Sequence, residues 1–244
     1  TDYSGVQVDA ASERAMWDAY DEIVSISESV SQSFSRVFPQ LGGKLVLMEN
    51  ILPRQLILRQ SQAFDVSGEM PRDGSFRLLS VGRYCRAKNF DNVPAICAAL
   101  LEKGLSVRWY LIGFGGDEAL IRRQIAEQGM EKNVILLGKR DNPYPYIRQA
   151  DLYVQPSRFE GHCVTVLEAR LLAVPILATQ NAAKEQLEDG KTGRLCKLDA
   201  ASIADAAAEL YCTPDLRQAL REALRRHDFE HDNALILQKL YALL

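Results

Sequence analysis

The sequence predicts an α/β protein with a doubly wound parallel sheet. Three observations lead there. From Phe76 to about Cys212, short apolar runs alternate with helical stretches. The runs are apolar throughout rather than alternating, as in strands covered on both faces. Glycine follows several elements where a helix or strand must end, as at Gly82, Gly104, Gly113 and Gly129. The strands are read as Phe76–Val81, Val107–Ile112, Val134–Leu137, Leu152–Gln155, Pro175–Ala178 and Gly193–Lys197. Helices Val93–Lys103 and Glu118–Gln128 lie between them, and two more close the chain at about 213–226 and 232–244.

Upstream, residues 11–52 read as helix, strand, helix, strand. The strands are Glu22–Ile26 and Lys44–Met48. Ser27 is the expected N-cap of a helix carrying Val30, Phe34 and Val37 at helical spacing, and Gly42-Gly43 is the expected stop. So few elements cannot enclose a core of their own. Residues 1–53 are therefore read as the remnant of a larger N-terminal domain, and 54–75 as an interdomain linker, partly helical at its start. Residues 76–226 form the main domain and 227–244 a C-terminal helix. The chain opens Thr1-Asp2-Tyr3, which fits a fragment.

Composition narrows the function. The chain has 244 residues, 47% hydrophobic and 25% charged, with a formal net charge of -3. That balance argues against a nucleic-acid partner. Five dispersed cysteines without a CxxC pair argue against a disulfide framework or a zinc site and fit a reduced, cytoplasmic setting. No run approaches the length of a membrane span. The patch Arg54–Arg59 is read as domain packing, with peripheral membrane contact of the intact protein as the alternative.

Four constellations at strand ends carry the chemistry. Glu160-Gly161-His162-Cys163-Val164 and Glu168 follow the strand Leu152–Gln155. Gly161 at a helix start leaves backbone N–H groups open to an anion, and the spacing places Glu168 about two turns into a helix. Gly82-Arg83 and Lys88 follow the first strand of the main domain. Arginine offers a planar fork and lysine a mobile point charge, a pair suited to a diphosphate. Gly113-Phe114-Gly115-Gly116 follows the second strand. It resembles part of a dinucleotide fingerprint, but Glu118 stands where the third glycine belongs, so a tight turn with close backbone approach is the preferred reading. Gly138-Lys139-Arg140 follows the third strand. It is read either as a nucleobase-holding loop or as a plain connection. His162 and Cys163 are adjacent with no third orienting group, and His227 and His231 have no third ligand, so neither a nucleophile nor a metal site is expected.

Taken in order, these pieces resemble the C-terminal half of a GT-B-fold glycosyltransferase of the retaining, group 1 type, also called family 4. The matching segments are Val81-Gly82-Arg83 with Lys88, Ile112-Gly113-Phe114-Gly115, Leu137-Gly138 and Ala150–Ser157. They continue through Glu160-Gly161, Leu167-Glu168-Ala169, Val174–Thr179 and Gly190–Gly193. The resemblance implies a Rossmann-like donor domain that binds a nucleotide-diphosphate sugar as co-substrate, with no cofactor and no metal. It implies that Arg83 and Lys88 hold the diphosphate, that Glu160 contacts donor-sugar hydroxyls and that Glu168 binds the ribose. It places Gly82, Gly113, Gly115, Lys139, Arg140, Gly161, His162, Cys163 and Val164 around the donor. The acceptor, a glycan or a lipid-linked molecule, would bind the mostly missing N-terminal domain. His162-Cys163 and Val174 depart from the family pattern, and Glu49-Asn50-Ile51 stands in place of its Pro-Asn-Gly. The other readings are a non-catalytic subunit of the same fold, a sugar-nucleotide epimerase or phosphorylase, and an NAD-dependent dehydrogenase.

Overall fold

A computed structural model describes residues 10–243, which divide into two compact units. The smaller comprises the first 52 residues together with the chain from Asp228 onward. Helix α1 (Ala10–Asp18) leads to strand β1 (Ile23–Ser25), helix α2 (Glu28–Val37), a 3-10 turn over Pro39–Lys44 and strand β2 (Leu45–Leu47). The two strands pair in parallel, Ile23 beside Leu45. Ser27 caps α2, its Oγ accepting the Val30 N–H at 3.2 Å. The helix stops at Val37 rather than at the expected Gly42-Gly43. Pro39 disfavours helical backbone at the residue before it, and Phe38 leaves the helix at φ -126° and ψ 63°. Phe34, Phe38, Leu41 and Ile23 form the small core.

The larger unit runs from Pro53 to His227. It contains α3 (Arg54–Gln60), β3 (Phe76–Val81), α4 (Val93–Glu102), β4 (Val107–Ile112), α5 (Glu118–Glu127) and β5 (Val134–Gly138). Then follow α6 (Tyr144–Gln149), β6 (Leu152–Gln155), α7 (Val164–Leu171), β7 (Ile176–Thr179), α8 (Gln180–Ala183), β8 (Arg194–Cys196), α9 (Ala200–Cys212) and α10 (Pro214–Arg225). The six strands form one sheet in the order β5-β4-β3-β6-β7-β8, every neighbouring pair parallel. Residues alternate between faces along each strand. Leu78, Trp109, Leu111, Leu152 and Val154 pack with α4, α5 and α9 on one face. Leu79, Tyr110, Ile112, Tyr153 and Ile176 pack with α6 and α7 on the other. This is the doubly wound α/β class the sequence predicts. Residues 54–75 belong to this unit: Val66 and Met70 are buried in the second face's core.

The last helix, α11 (Phe229–Ala242), returns to the smaller unit. It begins three residues before the expected start because Asp228 caps it, accepting the His231 N–H at 3.0 Å. Asn233 bonds both backbone groups of Leu52, at 3.1 and 2.7 Å. Among the described residues, no helix is long and apolar enough to cross a membrane.

Candidate functional site

The chain of strand connections reverses direction between β3 and β6. From β3 it moves outward through β4 to β5, then crosses back to β6 and continues to β8. In open α/β sheets the crevice beyond the strand C-termini at such a point is where ligands bind. The loops leaving these two strands carry Gly82, Arg83 and Lys88 on one side and Ser157, Glu160 and Gly161 on the other.

The two loops are fastened together. The Asn89 amide donates to the Pro156 carbonyl at 2.9 Å, and the Arg158 N–H donates to the Ala87 carbonyl at 2.8 Å. Arg158 also grips Asp91 through two bonds of 2.9 and 2.8 Å. Asn89 takes a left-handed backbone conformation, φ 62°, which suits asparagine. Across this junction Lys88 Nζ reaches Glu160 Oε1 at 2.6 Å, with side chains only 17% and 14% exposed. Glu160 Oε1 accepts two further bonds, from Ser157 Oγ at 2.6 Å and Gln155 Nε2 at 3.2 Å. Gln155 is fully buried. Its Nε2 also donates to Ser157, and its Oε1 accepts from the Tyr153 hydroxyl at 2.8 Å and Thr165 at 3.3 Å. Thus a buried polar chain runs from the sheet interior to the Lys88–Glu160 pair, fixing which carboxylate oxygen faces the lysine. Lysine has three N–H bonds and the carboxylate has a second oxygen, so both partners keep capacity for a ligand.

Burial alone would push the Lys88 ammonium down, but the Glu160 carboxylate at 2.6 Å opposes this, and the pKa lies above the ordinary lysine value. The buried Cys163 thiol is itself pushed up to about 11, first by burial and then by Glu160, so at neutral pH it is uncharged and Glu160 is the anion that matters. Arg83 is exposed, and among the described residues its side chain has no hydrogen-bond or ion-pair partner.

Glycines shape the crevice. Gly113 has φ +154°, and a Cβ there would lie 1.8 Å from the Gly82 carbonyl oxygen. At Gly115, φ +155°, it would lie 2.3 Å from the Tyr84 carbonyl oxygen. The two loops run side by side through backbone bonds, Gly82 N–H to the Ile112 carbonyl at 2.9 Å and Tyr84 N–H to the Phe114 carbonyl at 2.8 Å. These glycines therefore make the close backbone approach that the sequence pattern favours over a dinucleotide fingerprint. Gly82 differs. A Cβ there would meet Lys88 Cε at 3.0 Å and Cδ at 3.2 Å, the far end of a flexible side chain. Gly82→Ala should therefore shift the Lys88 side chain by only a few tenths of an ångström, keep its pair with Glu160 and leave the melting temperature nearly unchanged. If Lys88 holds a diphosphate, as the family resemblance implies, titration with a nucleoside diphosphate should then show about tenfold weaker binding, as one charge-assisted bond is misaligned.

Helix α7 starts at Val164. Gln186 clamps the residue before it, its Oε1 accepting the Cys163 N–H and its Nε2 donating to the Cys163 carbonyl, both at 3.0 Å. The Cys163 N–H is thereby taken. The N–H groups of Val164 and Thr165 have no acceptor among the described residues and form the open positive end of the helix. His162 is half-buried at this turn. Further along α7, Glu168 Oε1 accepts the Tyr144 hydroxyl at 3.0 Å. Burial raises the Glu168 pKa against the opposing effect of that bond. Tyr144 is pushed up to about 12 by its own burial and by Glu168.

Two further predicted residues have partners of their own. Lys139 pairs with Asp141 at 3.2 Å on the surface. Arg140 pairs with Glu69 and donates to the Tyr146 hydroxyl at 3.0 Å, tying the segment after α3 to α6. The structure brings Gly82, Lys88 and Glu160 into contact, sets Gly113 and Gly115 behind them, and leaves Arg83 free nearby in sequence. Sequence reasoning missed Asn89, Gln155, Ser157, Tyr144 and Gln186. Only Gln155 carries a local signal, a glutamine ending an otherwise apolar strand.

A family model described as Glycosyl transferases group 1 matches residues 75–213. The N-acetyl-alpha-D-glucosaminyl L-malate synthase of Bacillus anthracis is 26% identical over 155 residues, covering 63% of this chain and 40% of that protein. The lipopolysaccharide core biosynthesis mannosyltransferase LpsB of Rhizobium meliloti is 32% identical over 114 residues, 45% of this chain and 32% of that protein. The chain thus spans less than half the length of these curated relatives. Among solved structures, Anabaena HepE in complex with UDP superposes with a TM-score of 0.78 at 18% identity, over 97% of this chain and 69% of that one. Sucrose-phosphate synthase from Thermosynechococcus elongatus does so with a TM-score of 0.77 at 22% identity, over 96% and 61%.

Proposed function

The chain belongs to the group 1 glycosyl transferases, and we propose that it forms the donor-binding part of an enzyme moving a sugar from a nucleoside-diphosphate sugar to an acceptor with retention. The observation that carries this reading is the Lys88–Glu160 pair at the reversal point of the sheet, with Arg83 exposed in the same loop that leaves β3. In the proposed reaction the bond between the sugar's anomeric carbon and the β-phosphate oxygen breaks, an acceptor hydroxyl oxygen bonds to that carbon and gives its proton to the departing diphosphate, and negative charge builds on the diphosphate as it leaves. Two N–H bonds of Lys88, the Arg83 guanidinium and the open N–H groups of α7 meet that charge, so no metal is called for. The second oxygen of Glu160 receives a sugar hydroxyl. Glu168 receives the ribose hydroxyls through the oxygen that Tyr144 does not use. The acceptor, a glycan or lipid-linked molecule, is assigned to the part of the protein outside this chain. HepE's complex with UDP supports the choice of ligand class.

Calorimetric titration with UDP, GDP and ADP and their sugars tests the proposal. One nucleotide should bind at micromolar to low millimolar concentration; a folded chain that binds none of them would refute it. The anomeric configuration of the product made by the full-length enzyme tests retention.

Glu168→Gln separates binding from stability. Because burial holds the folded pKa of Glu168 above its unfolded value, this group stabilises the fold at acid pH, and that contribution is lost as pH rises through the folded pKa. At pH 7 the neutral glutamine should melt no lower than the parent. Its affinity for a nucleoside diphosphate should nonetheless fall roughly tenfold, as a charged acceptor is replaced by a neutral one. Melting curves from pH 4 to pH 8 and parallel titrations check both halves.

A further inference from the structure

At the opposite end of the sheet, where β3 begins, lies a hollow of about 350 Å³ lined by Arg72, Arg77, Arg217 and a single carboxylate, Asp151. Asp151 is committed to Arg77. Its Oδ2 accepts the Arg77 N–H and Nε–H, both at 2.9 Å, and its Oδ1 accepts Nη2 at 2.8 Å. The other end of that guanidinium is not satisfied. Arg77 is 6% exposed, and its Nη1 is buried with no acceptor among the described residues. A buried guanidinium nitrogen without a partner is rare in native proteins and calls for a reason.

The neighbouring cations are also incompletely used. Arg217 Nη1 donates to the Leu210 and Tyr211 carbonyls near the end of α9, and the guanidinium lies over the Phe76 ring at 5.0 Å. That is a helix-capping role, but it leaves Nε and Nη2 without acceptors among the described residues. Arg72 has one long bond, to Gln149 at 3.5 Å. The nearby Asp73 is turned away, bonded to Arg108 at 2.5 Å and to Ser75 at 2.6 Å. Arg221, next along α10, sits below the usual arginine range because of burial and then the positive charge of Arg225 and Arg217. Three arginines around one already neutralised carboxylate leave a local excess of two positive charges. Open fork geometry of this kind suits a tetrahedral dianion.

We propose that this arginine-lined hollow is a second anion site, taking a phosphate or phosphate monoester. It is separate from the donor crevice, because β3 spans six residues, roughly 20 Å, between the two ends of the sheet. A ligand here cannot share in the chemistry at Lys88 and Glu160. It would act by bracing the start of β3 against α9 and α10.

Inorganic phosphate is the probe, titrated calorimetrically into the chain and into Arg72→Gln, Arg217→Lys and Arg83→Gln. Arg72→Gln removes an exposed side chain with one weak contact. Arg217→Lys keeps a cation for the α9 carbonyls but removes the fork. Each should weaken phosphate binding about tenfold, the cost of one charge-assisted bond, while Arg83→Gln should leave this binding event unchanged. Loss of binding in Arg83→Gln with full binding in the other two would place the phosphate in the donor crevice and overturn the proposal. No phosphate binding by the folded parent would overturn it as well. These outcomes are independent of whether a nucleotide binds. Vesicles carrying phosphatidic acid, compared with and without Arg72→Gln, distinguish a lipid headgroup from free phosphate as the source of the same dianion.

Discussion

Lys88→Met is expected to weaken binding of a nucleoside diphosphate by roughly 30-fold or more and to lower stability by about 3 kcal/mol. The two effects have different origins. On the proposed role of Lys88, affinity falls because the donor to the phosphate is gone. Stability falls because Glu160, 14% exposed in its side chain, is left as a buried carboxylate without its counter-ion. A second change separates them. Glu160→Gln in the Lys88→Met background removes the orphaned charge and keeps an acceptor for Ser157. The double variant should therefore recover most of the stability and none of the affinity. Chemical denaturation and calorimetry on the two variants check this. Recovery of both properties would mean that Lys88 serves the fold and not the ligand.

Gly113→Ala is the second large effect expected, and it is a failure of the backbone. The added Cβ would sit 1.8 Å from the Gly82 carbonyl oxygen, and φ +154° is a conformation other residues rarely adopt. Neither obstacle is a side chain that can rotate away. Strain and overpacking together should cost roughly 4 kcal/mol. Gly82→Ala provides the internal contrast, since its neighbour is only the mobile end of Lys88. If Gly113→Ala melts within a few degrees of the parent, the close approach of the two loops is not what organises this end of the sheet.

The strands of the larger unit were legible because each apolar run is long enough to be buried and is closed by glycine or a polar residue. Phe76–Val81, Val107–Ile112 and Leu152–Gln155 lie as the pattern predicts. Local signals failed where the deciding partner is distant. Nothing near Gly42-Gly43 shows that Pro39 and Phe38 end α2 first. The role of Arg140 rests on Glu69, 71 residues away in a stretch that reads as a linker. The clamp on Cys163 comes from Gln186, 23 residues on. Lys88 and Glu160 could each be placed at a strand end from sequence. That the two ends are neighbours depends on the strand order, which brings β3 beside β6 across 72 residues of chain. The polar chain Tyr153–Gln155–Glu160 was invisible for a related reason. A buried glutamine reads as a surface residue until the hydroxyls that satisfy it are in place.

On the proposed function, the β3–β6 junction binds the diphosphate of a nucleotide through Arg83 and Lys88. The most direct measurement compares the best-binding nucleoside diphosphate with its own nucleoside, on the parent chain and on Arg83→Gln/Lys88→Met. On the parent, the diphosphate should bind about 100-fold more tightly than the nucleoside, as expected for two charge-assisted contacts. On the variant that difference should shrink to about threefold or less, with nucleoside affinity unchanged. A preference for the diphosphate that survives the loss of both cations would mean that Arg83 and Lys88 do not hold it.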